Sequence, residues 1–164
     1  NFKKLNSYAA DNLSKVDFIF LLSLMIIDGT DNVDYFIYKF KISKKNQKRL
    51  KAIDFFYKEN VSLKNFTEKS FNKIFYFKGR QTVLDIISFK LFISNNAEKK
   101  LLKLIEIYKD KIIPTMPIGA NVLMTKYNIP EGKILGNKLK IIEEIWVNNG
   151  FRISENQLQK VVKN

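Results

Sequence analysis

The stretch Gly79 to Ile93, GRQTVLDIISFKLFI, decides the fold class. Leu84, Ile87 and Leu91 fall in helical register over Arg80 to Ile93, and no alternation with a period of two competes with it. A helix this apolar belongs at the centre of a core. Gly79 ends a preceding helix that starts near Thr67, so two helices meet with almost no loop between them. Downstream, Asn96 is expected to cap a long helix in which Leu101, Leu104, Ile105 and Tyr108 form a stripe, and Pro114 and Pro117 end it.

The same period recurs on both sides. A first helix is expected from about Asp11 to Asp28, with Ser14 and Asp17 as a capping box and Gly29 as its stop. A short second helix covers Asn32 to Phe40. Ser43 is expected to cap a third, Lys44 to Lys58, whose Leu50, Ile53 and Tyr57 share a face. After the prolines comes a short helix to Tyr127, then a turn, then Leu135 to Asn149 stopped by Gly150. A last helix opens on the capping box Ser154-Glu-Asn-Gln157 and carries Leu158, Val161 and Val162. The expectation is an all-α chain of mostly antiparallel helices joined by short loops, with no sheet. Its boundary near Pro114 to Pro117 divides a helical body, residues 1–113, from a tail, residues 114–164, built around a helix-turn-helix at Gly132–Gly136.

The 164 residues, 46% of them hydrophobic, suffice for one sizeable core or two closely packed helical subdomains. With no Cys and no His, disulfide, thiolate and imidazole chemistry are all excluded, and a reducing cytoplasm is the expected location. The longest apolar run, Phe18 to Ile27, is interrupted by Ser23 and falls short of the ~20 residues of a membrane span. The opening Asn1-Phe-Lys-Lys lacks a signal-peptide layout and reads as the start of a piece of something longer.

Twenty-nine Lys and Arg against sixteen Asp and Glu give a net charge of +13, which attracts polyanions. Lys, Asn, Ile and Phe are abundant and arginine is confined to Arg49, Arg80 and Arg152, the pattern that AT-rich codons impose on any protein. Placement therefore says more than total charge. Lys44, Lys48 and Lys51 stand at i, i+4, i+7 on one helix face, with Lys41 just ahead and Lys45 and Arg49 alongside. Like charges so spaced cost about 0.2–0.5 kcal/mol per pair in an isolated helix. The face reads either as a solvated one or as one neutralised by phosphates, whose counterions are released on binding.

Catalysis has no visible apparatus. Asp28, Asp31 and Asp34 are the only tight acidic cluster, and their spacing fits helix capping better than a metal site. No phosphate-binding glycine motif of the nucleotide-binding folds is present. The turn Ile129-Pro-Glu-Gly-Lys-Ile-Leu-Gly136 offers a different possibility. Leu135, Leu139, Ile142 and Trp146 point to the core from the helix that follows it. Gly132 and Gly136 permit unusual backbone angles and close approach, and Lys133 and Lys138 flank the positive end of that helix. Both a simple helix-helix turn and a phosphate grip fit.

Three segments carry a family resemblance: Met116-Pro-Ile-Gly-Ala-Asn-Val-Leu-Met124, the turn Ile129 to Gly136, and Leu139-Lys-Ile-Ile-Glu-Glu-Ile-Trp146 followed by Asn149-Gly-Phe151. Together they resemble the C-terminal signature of bacterial class II tRNA nucleotidyltransferases and their poly(A) polymerase relatives. Upstream, Ile74-Phe-Tyr-Phe-Lys-Gly-Arg80 resembles a segment of that family's body, and Ile42-Ser43 with its basic helix resembles the step before it. Ala120 and Val122 stand where the family has Gly and Asp, and Lys133 where Pro is usual.

The resemblance implies the helical body and tail that grip tRNA so that its 3′ end reaches a separate N-terminal catalytic head. Magnesium and ATP or CTP would be bound in that head and neck, and no cofactor in this chain. The expected RNA contacts are Lys44, Lys48, Lys51, Lys78, Arg80, Gly132, Lys133, Gly136 and Lys138, with Leu84, Ile87, Leu139, Ile142 and Trp146 in the core. Tyr76, between Phe75 and Phe77, reads as packing before base stacking. The rival readings are a non-enzymatic helical module that binds a protein through an apolar groove, and a general binder of nucleic acid or of anionic membrane surfaces.

Overall fold

The computed structural model describes residues 6–59, 62–96 and 98–163, and among them the chain is all-α, with ten α-helices and no strand. It divides into two compact units, Asn1–Lys111 and Ile112–Asn164.

In the first unit, α1 (Ser7–Asn12), α2 (Phe18–Ile26), α3 (Asn32–Lys39), α4 (Lys44–Lys58), α5 (Glu68–Lys78), α6 (Arg80–Ile93) and α7 (Lys99–Asp110) follow one another. As the apolar character of α6 predicts, α7, α5, α4, α2 and α1 all pack on it. Val83, Ile86, Ile87, Phe89, Leu91 and Phe92 are buried, so it is covered on several sides rather than along one stripe. Leu84, expected in the core, is only half-buried. Leu50 and Ile53 of α4, Phe71 and Phe75 of α5, and Leu101, Leu104 and Tyr108 of α7 complete the core. Tyr108 donates its hydroxyl to the Glu68 carbonyl at 2.9 Å, and burial, with the Glu68 charge, raises the pKa of the phenol.

Several expected boundaries move. The single first helix is two, α1 and α2, separated by a 3-10 turn at Leu13–Lys15 and by extended backbone at Val16 and Asp17. Asp17 causes the break: its carboxylate accepts the Phe20 amide at 2.9 Å, which makes it the N-cap of α2, while Ser14 lies in the 3-10 turn and caps nothing. Ser43 precedes α4 but makes no capping bond, and the Gln47 side chain donates to the Ile42 carbonyl instead. α7 begins after Glu98 rather than Asn96, again without a side-chain cap. Thr67 and Ser70 form a reciprocal capping box at the start of α5.

In the second unit, α8 (Ala120–Tyr127), α9 (Lys133–Asn148) and α10 (Glu155–Lys163) enclose a small core of Ile118, Leu123, Ile129, Leu135, Ile142 and Leu158. Trp146 and Val147 are also buried, and Leu139 is half-buried at the core edge. Glu155 holds α10 to α8 by accepting from the Tyr127 hydroxyl at 2.8 Å and Lys126 Nζ at 3.2 Å. The expected Ser154 and Gln157 box is formed.

Candidate nucleic-acid interface

α4 has two unlike faces. Leu50, Ala52 and Ile53 are buried, and Lys44, Lys48 and Lys51 are exposed on the other side. The exposed series continues one step further than the lysines, to Phe55 at i+11 from Lys44, whose side chain is 57% exposed.

A cleft of about 760 Å³ runs along this face, closed on its other side by Phe77 and Lys78 at the end of α5 and Thr82 in α6. Gly79 makes that wall possible. It has φ +85°, a backbone that L side chains rarely adopt, so α5 turns directly into α6 and leaves Phe77 and Lys78 beside α4. The Thr82 hydroxyl donates to the Lys78 carbonyl at 3.0 Å and fixes the corner. Four lysines therefore line one cleft, and no acidic residue is in its lining. Lys51 pairs with Asp34 at 2.8 Å, both exposed, while among the described residues Lys44, Lys48 and Lys78 pair with no acid.

Other predicted contacts are placed differently. Arg80 is outside the cleft and donates to the Lys111 carbonyl at 3.0 Å. Arg49, grouped by sequence with the basic face, is internal. It is only 8% exposed, and its guanidinium forms a two-point pair with Asp85 at 2.6 and 3.0 Å and reaches Asp17 at 2.7 Å. Gln81 donates to Asp85 at 2.9 Å, so the buried carboxylate is fully engaged. Burial by itself would raise the Asp17 carboxyl, but the Phe20 amide and the Arg49 charge outweigh it and hold it below the usual carboxylate range. This cluster locks α2, α4 and α6 together, and in doing so fixes which side of α4 carries the lysines outward.

Tyr76, the ring considered for stacking, is half-buried with its ring 5.0 Å from that of Phe77 at 84°. Phe77 is the more exposed, at 50%, and it is the one lining the cleft. Sequence reasoning passed over Phe55 and Phe77. The helical spacing of Phe55 was a usable signal, whereas nothing local places Phe77 opposite it.

In the second unit, α9 starts two residues earlier than predicted, at Lys133. Gly132 is its N-cap, with φ +134° and ψ −160° and no side-chain capping bond. Gly136 is therefore not in the turn but in the first turns of the helix, its amide bonded to the Gly132 carbonyl at 3.1 Å. A Cβ at Gly136 would meet no atom within 4 Å. Lys133 is exposed at this end. Lys138 is engaged inside the fold: its ammonium donates to the Val161 and Val162 carbonyls at 2.8 and 3.0 Å, satisfying the last turn of α10.

Two members of the acidic cluster, Asp28 and Asp34, are engaged in structure, whereas Asp31 is the N-cap residue of α3 without the side-chain capping bond expected of it. Asp28 accepts from the Thr30 amide and hydroxyl and from Asn32, bonds that hold it below the usual carboxylate range, and Asp34 pairs with Lys51. No group of three or more potential metal ligands occurs among the described residues. Nor does any helix among them have the length and apolar character needed to cross a membrane. No family model, no curated protein and no solved structure matches the chain.

Proposed function

We propose that this chain is an RNA-binding helical module, the body and tail of a tRNA nucleotidyltransferase or poly(A) polymerase, and that it positions an RNA 3′ end for a catalytic head supplied elsewhere. The observation that carries the RNA-binding reading is the cleft of the first unit, where Lys44, Lys48, Lys51 and Lys78 converge with no lining acid. Mutual repulsion makes such a cleft unfavourable empty and favourable when phosphates lie in it. A folded RNA suits it, since A-form helices present phosphates and 2′-hydroxyls outward. The enzyme family rests on the sequence motifs. On that resemblance, magnesium would belong to the head. In the second unit, the uncapped start of α9 with Lys133 and the open space at Gly136 support an additional backbone contact with RNA.

A second reading has one observation in its favour. α9 and α10 frame an apolar groove of about 420 Å³ in which Ile134 and Ile141 are well exposed, as a protein-binding module would require. Fluorescence anisotropy with labelled tRNA, duplex DNA and anionic vesicles over a range of salt separates the readings. The proposal expects preferential tRNA binding with a steep negative salt slope, flattened by about one unit for each phosphate-contacting lysine changed to alanine. Absence of tRNA preference at every ionic strength overturns it.

A further inference from the structure

We infer that the cleft between α4 and the α5–α6 corner is a seat for unpaired nucleotides, with Phe55 and Phe77 as stacking rings and the lysines holding the phosphates. The inference rests on the RNA-binding reading and specifies which part of an RNA enters. Two large aromatic side chains, 57% and 50% exposed, line a cleft that also carries four lysines. Phe56, next in sequence to Phe55, shows the alternative: it turns inward and stacks on Phe71 at 5.9 Å and 19°. The ring contacts of Phe55 and Phe77 among the described residues are with their chain neighbours, at 73° and 84°, so neither has a parallel ring on it.

Charge alone would suit a duplex, but the rings would not. The bases of a duplex are stacked on one another and expose no face sideways, whereas unpaired bases have faces free to lie on an aromatic ring. The linear order along α4 also matches a single strand. Lys44, Lys48, Lys51 and Phe55 mark out about 16 Å of one helix face, cations first and ring last. Phe77 and Lys78 repeat the pairing of ring and cation on the opposite wall.

The experiment compares three labelled RNAs on the full chain: a hairpin with a single-stranded tail, the same hairpin blunt, and the tailed hairpin with abasic tail residues. The expected result is that the tail raises affinity by about tenfold and that removing its bases removes most of this gain. Phe55→Ala and Phe77→Ala should abolish the preference for the tailed RNA over the blunt one, and Phe55→Trp should retain it. Lys48→Ala should flatten the salt slope for both RNAs. Equal binding of tailed and blunt hairpins, with a steep salt slope, overturns the seat and leaves the RNA-binding reading standing. Binding of neither overturns both.

Discussion

Gly132 and Gly136 stand four positions apart around one helix start, and alanine at each should move stability in opposite directions. At Gly136 the backbone is helical and the space around an added Cβ is empty to 4 Å. The substitution therefore removes the flexibility cost of glycine in a helix and adds no clash, a gain of about 0.5–1 kcal/mol. At Gly132 the space is equally open, but φ +134° with ψ −160° lies in a region that is essentially restricted to glycine, so alanine costs about 1–3 kcal/mol. The single tryptophan, Trp146, is buried on α9 of this unit and gives it a fluorescence probe. Urea titration followed by its fluorescence reads the difference directly. With a slope near 1 kcal/mol/M for so small a unit, the midpoint should rise by about 0.5–1 M for Gly136→Ala and fall by about 1 M or more for Gly132→Ala. On the proposed function, Gly136→Ala also weakens RNA binding, because the new methyl group stands where a phosphate would approach. A lower midpoint for Gly136→Ala, or an unchanged one for Gly132→Ala, refutes the backbone argument.

Asp85→Leu should destabilise the first unit by about 3 kcal/mol, since it leaves the buried Arg49 guanidinium with Asp17 alone in place of its two-point partner, and adding Arg49→Met should recover much of that loss in chemical denaturation followed by circular dichroism. Acid should weaken the same cluster. The folded-state pKa of Asp17 lies below its unfolded value of about 3.9, so its contribution is present above that pH and is lost as pH falls through the lower folded value. Asp17→Asn should accordingly lower stability at neutral pH and flatten the acid limb of a stability–pH profile, while its side-chain oxygen still caps α2. Lys138→Met should cost about 1 kcal/mol by Trp146 fluorescence, through the two α10 carbonyls it leaves unbonded, and should not change RNA affinity. Lys44→Ala and Lys78→Ala should each reduce the salt slope for tRNA by about one unit, and Arg80→Ala should not.

Much of the architecture was legible in one dimension because a helix repeats locally. The apolar period picked out α4 to α7 and α9, Gly79 marked the corner, and Ser154 with Gln157 marked the start of α10. Where local signals competed, the reading slipped. Phe18 to Ile26 continues the helical pattern of the residues before it, yet Asp17 breaks the helix because its carboxylate bonds to the Phe20 amide and, from 32 positions away, to Arg49. Lys138 looked like a free cation because nothing nearby in sequence reveals that the end of α10 folds back over it.

The sequence by itself determined the helical class, the buried stripes and the lysine face of α4, since each follows from the fixed rotation per residue along a helix. Only the tertiary structure decided that Arg49 turns inward while Lys48, its neighbour, stays in the cleft, and that Phe77 and Lys78 join α4 from a separate helix. Those outcomes depend on which distant element supplies a partner: Asp85 lies 36 positions from Arg49, and a buried charge is tolerated only where such a partner waits.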